Sequence, residues 1–322
     1  MANNETPENT RTKLKELPEG HAKDVPDDQM SRWNRERHEG FAVGKFLYAP
    51  PMFFTQDHHS LWINDMYRGR SAFLILSGPS FKEVDKKVLK SPGILTMGVN
   101  NSPRTFRPNL WTSVDSPDHF MRSIWLDPTI MKFVPICHAG KHIFHNDAWK
   151  WLKLKVGDCP NVVYFRRNEK FQSKQFLNED TMNWGNHKKY GGGRSVMLLA
   201  MRILYLIGIR RVFLLGADFN MDKNKPDNYH FPQERKEDSI HGNMSTYKKL
   251  NQWFTALRPV FDKEGFNVFN CNPKSGLTAF DHVPFDTAID RILGEWGHIN
   301  IRRERTEGLY DSEKPSKSEM IG

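Results

Sequence analysis

Short apolar runs, each followed by a polar cluster, recur along the chain from residue 72 onward. AFLIL at 72–76, GILTMGV at 93–99, LWTSVD at 110–115, KFVPIC at 132–137 and NVVYF at 161–165 read as strands, as do RRVFLLGADF at 210–219 and FNVFNC at 266–271. Between them, SFKEVDKKVL at 80–89, the stretch Ser195 to Leu206 and the stretch Met244 to Phe261 read as helices. Strands alternating with helices predict a parallel sheet covered on both faces, a Rossmann-like, doubly wound, mostly parallel α/β fold in one principal domain. The longest apolar run, Val196 to Ile209, is interrupted by Arg202 and falls short of the ~20 residues that span a bilayer, so it reads as a core helix and no membrane partner is expected.

The pattern fades at both ends. Residues 1–38 are rich in Asn, Glu, Lys, Pro and Asp without apolar periodicity, and are expected to form a disordered arm; 39–70 read as an N-terminal extension, 71–295 as the domain and 296–322 as a polar tail. A chain of 322 residues with 38% apolar side chains can bury one large core or two modest ones. Its three cysteines cannot all pair within the chain and the N-terminus shows no charged segment leading into an apolar one, which sets an expectation of a reducing, cytoplasmic setting.

In doubly wound sheets ligands bind beyond the carboxyl ends of the strands, so the polar residues that close each apolar run become the candidates: Ser77-Gly78-Pro79-Ser80, Asn100-Asn101, Asp115-Ser116 and Asp218-Phe219-Asn220. At Gly78 a ligand can approach the backbone, and Ser80 can cap a following helix whose free N–H groups face an anion. The same Gly, Pro and Ser also suit an ordinary strand-to-helix turn.

Charge adds a hint about partners. The net charge is +9, yet residues 1–40 hold seven Lys/Arg against nine Asp/Glu and 301–322 hold five against five, leaving 35 against 24 between them. Such a surplus favours polyanions. The segment 164–194 interleaves Arg166, Arg167, Lys170, Lys174, Lys188, Lys189 and Arg194 with aromatics including Trp184, the combination that neutralises phosphates while stacking on bases, and it equally describes a solvated loop anchored by its rings. Cys137, His138, His142, His145 and Cys159 carry zinc-binding side chains at spacings that match no standard framework, and the three histidines also fit one helix face.

Taken in order, "ILSGPSFKEVD", "MGVNNS", "WTSVDSPDHF", "GGGRSVMLLAMRILYLIGIRRVFLLGADFN", "IHGNMSTY" and "FNCNPKSGL" resemble the bacterial sialyltransferases of glycosyltransferase family 42 and the related DUF115 group, which includes a pterin pyrophosphokinase branch. The resemblance covers about residues 70 to 285. It implies a single-domain GT-A-like variant of the Rossmann fold and a nucleotide sugar as donor. Gly78, Pro79 and Ser80 would match the family's first turn, Asn100 with its neighbour Asn101 its second-strand Asn, and Ser195 the hydroxyl that opens the long helix. Arg194 would lie near the family's basic residue, Asp218 would match its Gly-x-Asp-Phe motif, His241 its general base, and Asn272, Pro273 and Ser275 its late loop. Asp115 stands where the family has Asn, which implies a different nucleotide or sugar contact. Asn220 stands where it has a phosphate-stabilising Tyr, with Tyr229, in a lid at about 221–241, the candidate replacement.

With His241 as base an inverting transfer needs no metal. The basic middle and the 164–194 segment lean the acceptor toward a hydroxymethylated pyrimidine in DNA, as in viral DNA modification. Alternatives are a glycan-directed transferase, an ATP-dependent pyrophosphokinase with magnesium on Asp115 and Asp218, and a nucleic-acid binder without turnover.

Overall fold

The computed structural model describes residues 53–145, 150–165, 195–222, 224, 228–233 and 236–297. The arm at 1–38, the tail beyond 297 and the basic aromatic stretch 166–194 lie outside the described residues. So do the readings placed on Arg166, Arg167, Lys170, Lys174, Trp184, Lys188, Lys189 and Arg194.

The apolar runs assemble side by side. β3 (Ser71–Ile75), β4 (Thr96–Val99), β5 (Leu110–Thr112), β6 (Met131–Pro135) and β9 (Val162–Phe165) follow one another in parallel on one side of β3. β10 (Arg211–Leu215) pairs with the other side of β3, followed by β11 (Asn267–Asn270) and β12 (Asp281–His282), also parallel. β1 (Phe53–Phe54) and β2 (Ser60–Leu61) close the far edge antiparallel. The result is a ten-stranded, mostly parallel sheet in a Rossmann-like α/β fold, and two of its strands come from the region read as an extension.

Alternation sorts the strand side chains onto two faces. Ala72 and Leu74 on β3, with Val212 and Leu214 on β10, pack against α2 (Val196–Leu206) and the apolar stripe of α3 (Glu237–Lys263), which contributes Leu250, Phe254, Leu257 and Phe261. Phe73, Ile75, Phe213 and Leu215 face the other way onto α4 (Phe285–Gly294) through Ala288, Ile289 and Ile292. Farther along, Trp111, Val134 and Tyr164 meet Ile124 and Trp125 of α1 (Arg122–Leu126), and the hairpin β7 (His142–His145) with β8 (Lys150–Lys155) covers this part. No helix among the described residues is long and apolar enough to cross a membrane.

Two readings require correction here. The stretch 80–89 is not an α-helix: it divides into 3-10 turns at Pro79–Glu83 and Val88–Lys90, with Val84 extended at φ −77° and ψ 134°. The Asp85 carboxylate accepts from the Lys87 N–H at 2.8 Å, a local bond that competes with the helical ladder. His138 and His142 do not share a helix face, because His138 ends a 3-10 turn at Ile136–His138 and His142 begins β7.

Candidate functional site

Strand order reverses between β3 and β10, and there the two chains leave the sheet together. The Leu76 N–H donates to Leu215 O at 2.8 Å and the Gly78 N–H to Gly216 O at 2.9 Å, so the pairing continues past both strand ends. Gly216 turns the chain with φ +65°, a conformation glycine adopts without steric cost. Asp218 then reaches back across the turn after β3. Its carboxylate accepts from the Ser80 hydroxyl at 2.8 Å, from the Ser80 N–H at 3.3 Å and from Asn272 Nδ2 at 3.1 Å.

These bonds change the reading of Ser77-Gly78-Pro79-Ser80. Pro79 has no N–H, the Ser80 amide is taken by Asp218, and the Phe81 amide donates to Gly78 O at 3.3 Å, so the turn is no open phosphate cradle. Burial pushes the Asp218 carboxyl up, against the opposing pull of the Ser80 bonds. Asn272 and Ser275 brace this arrangement from behind: the Ser275 hydroxyl donates to Ala217 O, and the Gly276 N–H donates to Asp218 O at 2.8 Å. Pro79, Ser80, Asn272 and Ser275 therefore build the wall and do not line the cavity in front of it.

Gly78 is fixed by the same contact. A Cβ there would run into Asp218 Oδ2 and stand 2.5 Å from the Gly216 carbonyl oxygen, which belongs to the backbone and cannot rotate away. Gly78→Ala should cost about 2–3 kcal/mol, the scale of an overpacked core. A denaturant midpoint equal to that of the parent would show that the two strand ends are not held this close.

In front of the wall opens a cavity of about 630 Å³. Gly78, Asn100, Asn101, Asp115 and Asp218 line it, each following a strand as the pattern of runs suggested. Asn100 is held at φ +49°, where Asn is among the better-tolerated residues. Its carbonyl oxygen accepts from Trp111 Nε1 at 2.8 Å and its side-chain Oδ1 from the Ser113 hydroxyl at 3.0 Å. The side-chain amide nitrogen is thereby set as the donor end, with no bond among the described residues. Ser195 caps α2, accepting from the Met197 N–H at 3.2 Å, and Ser195, Val196 and Met197 present the start of that helix to the cavity. Such a terminus carries positive partial charge.

Asn220 and Tyr229 also line the space. Two aromatic pairs shape it. Phe219, at φ +51°, stacks on Tyr247 with centroids 4.9 Å apart, and Tyr229 stacks on Phe231 at 5.4 Å. Phe219 stood in the strand-end run Asp218-Phe219-Asn220, whereas Tyr247 and Phe231 were not legible as site residues, and neither was His119, which lines the cavity beside Asp115. His119 belongs to the 3-10 turn Pro117–His119, whose carbonyl at 119 accepts from Asn101 Nδ2 at 3.3 Å.

His241 stands apart. The face of α3 turned to the cavity carries Asn243, Thr246, Tyr247 and Leu250, and at roughly 100° per residue His241 falls on the opposite side. It is exposed and its Nδ1 lies 3.2 Å from Glu237 O, one turn back along the helix.

Comparisons with known proteins add little to this geometry. No family model matches the chain, and no curated protein does. Two solved structures are similar, both of mammalian sialyltransferases. One is 13% identical over 59% of this chain and 67% of its own, with a TM-score of 0.32. The other, in complex with Gal-beta-1-3GalNAc-ortho-nitrophenol, is 11% identical over 77% of this chain and 84% of its own, also with a TM-score of 0.32. Likenesses this distant assign no activity.

Among the described residues no three His, Cys, Asp or Glu side chains gather in a metal-binding group. In the cysteine-histidine set, His138 Nε2 lies 3.1 Å from Val114 O, His142 Nδ1 lies 2.8 Å from Leu152 O and the Cys159 thiol donates to Lys155 O at 3.4 Å. Within the set Cys137 Sγ and His138 Nδ1 stand 3.9 Å apart, while His142 and Cys159 turn to backbone carbonyls; the His145 side chain lies outside the described residues. Asp115 and Asp218 do share the cavity, but Asp218 already accepts from Ser80 and Asn272 and is half-buried, a poor fit to a magnesium ion that keeps several waters.

Proposed function

We propose that this protein is a nucleotide-sugar-dependent glycosyltransferase whose donor occupies the cavity at the β3–β10 reversal. The observation that carries the reading is the convergence of Asn100, Asn101, Asp115, Ser195, Asp218, Asn220 and Tyr229 on one cavity, where doubly wound sheets bind ligands. The motif resemblance supports the choice of donor class. In this reading the donor phosphate is received by the start of α2, through the Ser195 hydroxyl and the Val196 N–H, since the Met197 and Leu198 amides already donate to Ser195, and not by the turn at Gly78, whose Ser80 and Phe81 amides are engaged.

An acceptor hydroxyl attacks the anomeric carbon, the bond from that carbon to the phosphate oxygen breaks, and the nucleotide leaves with the electron pair. The hydroxyl proton passes to a base, and His119 is assigned that role because it lines the cavity while His241 faces away. One displacement inverts the anomeric centre and forms no covalent enzyme intermediate. The acceptor proposed is a hydroxymethylated pyrimidine in DNA; its support is the net charge of +9 and the basic composition of the chain's middle.

The test is incubation of the purified protein with a panel of nucleotide sugars and hydroxymethylated DNA, followed by digestion and mass spectrometry of the nucleosides. A sugar-sized mass increase on a nucleoside is expected. Nucleotide release with an oligosaccharide and none with DNA would remove the DNA acceptor and keep the donor. Binding of every partner without release of nucleotide from any donor would overturn the transferase reading.

A further inference from the structure

The strands β7 and β8 carry basic side chains and no acidic one, and Asp147 falls between them in the sequence. Along β8, Leu152 and Leu154 turn toward the core cluster that holds Ile143 and Val156, so Lys153 and Lys155 alternate to the outer face. Across the ladder His142 stands opposite Lys155, and Lys141 and Lys150 lie exposed at the strand ends. Neither strand contributes an acidic residue, and Lys150, Lys153 and Lys155 form no ion pair among the described residues. A half-buried hairpin needs polar outer positions, but it does not need lysine at both 153 and 155.

Its position gives this ribbon a use. β7 packs against the turn Pro117–His119, and His119 lines the cavity. The basic face therefore adjoins the rim where an acceptor would enter. The cavity of about 630 Å³ has room for a nucleotide and not for a duplex, so a base that is to react there must leave its stack.

We infer that the outer face of the β7–β8 hairpin is a docking ribbon for single-stranded nucleic acid, holding the phosphate backbone while a base reaches the His119 rim. The hairpin's partner rests on the proposed function only for what happens at that rim; the backbone contact stands on the hairpin's own charge.

The experiment measures binding of a fluorescent 20-mer single-stranded DNA across a salt series, without donor. The parent should bind with strong salt dependence. The triple variant Lys150→Gln/Lys153→Gln/Lys155→Gln should lose about two units of the log–log salt slope and about 100-fold in affinity near 0.1 M salt, at ~0.7 unit per phosphate contact. A control triple on α3, Lys248→Gln/Lys249→Gln/Lys263→Gln, removes the same charge from an exposed helix and should retain near-parental binding. Equal losses in both triples, or parental binding by the hairpin triple, would overturn the inference. So would displacement of the DNA by a sialylated or sulfated oligosaccharide at lower concentration than by unlabelled DNA. Salt-dependent binding through the hairpin in a protein that turns over no nucleotide sugar would uphold the ribbon and sink the transferase reading, so the two failures are distinguishable.

Discussion

His119→Ala is expected to lower the rate of sugar transfer by about 10²- to 10⁴-fold, the usual contribution of a positioned general base, while leaving donor affinity within a few-fold of the parent. The split between turnover and binding matters because His119 sits on a 3-10 turn held by Asn101, and a merely structural role would disturb both together. A base deleted to Ala leaves a space that free imidazole can enter, so partial restoration of rate by added imidazole is the sharper readout. His241→Ala should turn over like the parent, since helical register directs that side chain away from the cavity. The reverse pattern, with His241→Ala inactive and His119→Ala active, would require the first turn of α3 to unwind in the working enzyme and would transfer the role back to His241.

The second large effect is on stability in acid. His230 is 5% exposed, wedged edge-on against Phe81 at 4.8 Å, with Nδ1 2.6 Å from the Thr105 hydroxyl, while its backbone N–H donates to Ser77 O at 3.1 Å. Burial, aided by the nearby charges of Lys86 and Lys82, lowers its pKa to about 4 from an ordinary 6.5. Between those values the unfolded chain holds a proton that the folded chain refuses. The stability His230 permits is thus complete above about pH 6.5 and declines as pH falls, by about 1.4 kcal/mol per unit and about 3 kcal/mol by pH 4. Asp218 works the other way, because burial raises its carboxyl pKa and so favours the folded state as acid is added. Denaturant unfolding from pH 7.5 to 4.5 should show this decline, and His230→Phe should flatten it. Identical pH slopes in the two proteins would exclude His230 as the cause. Because its neighbours Tyr229 and Phe231 line the cavity, ligand binding should weaken in the same pH window.

Why some of this could be read from the chain and some could not comes down to range. Parallel strands buried on both faces must be apolar at consecutive positions, so AFLIL and VFLL announce themselves, and the residues that follow them must lie at the ligand-binding edge. That logic located Asn100, Asp115 and Asp218 in the cavity. It failed at Ser80, because the bond that fills its amide comes from Asp218, which is remote in sequence and adjacent only once β3 and β10 pair. The apolar spacing of Phe81, Val84, Val88 and Leu89 mimics a helix, yet the Asp85 side chain intercepts the backbone and divides it. β1 and β2 have two residues each, too short to show a period. The alternation in KWLKLK was overshadowed by the cysteines and histidines around it. Tyr247 and His119 carry no local mark at all, since only the docking of α3 and of the 117–119 turn brings them to the cavity.

The pairing of β3 with β10 also has a consequence in time. Leu74 lies beside Leu214, so the central joint of the sheet connects residues separated by 140 positions. At ~5–20 residues per second, a ribosome takes roughly 7–28 s to supply the second strand after the first. During that interval β4, β5 and β6 can add to one side of β3 while its other edge, wholly apolar at Ala72 to Ile75, waits unpaired. Such an edge invites association with other chains, and non-local parallel pairing is intrinsically slow to form. Expression at reduced temperature or with chaperones should therefore raise the soluble yield, and a chain stopped before residue 211 should aggregate.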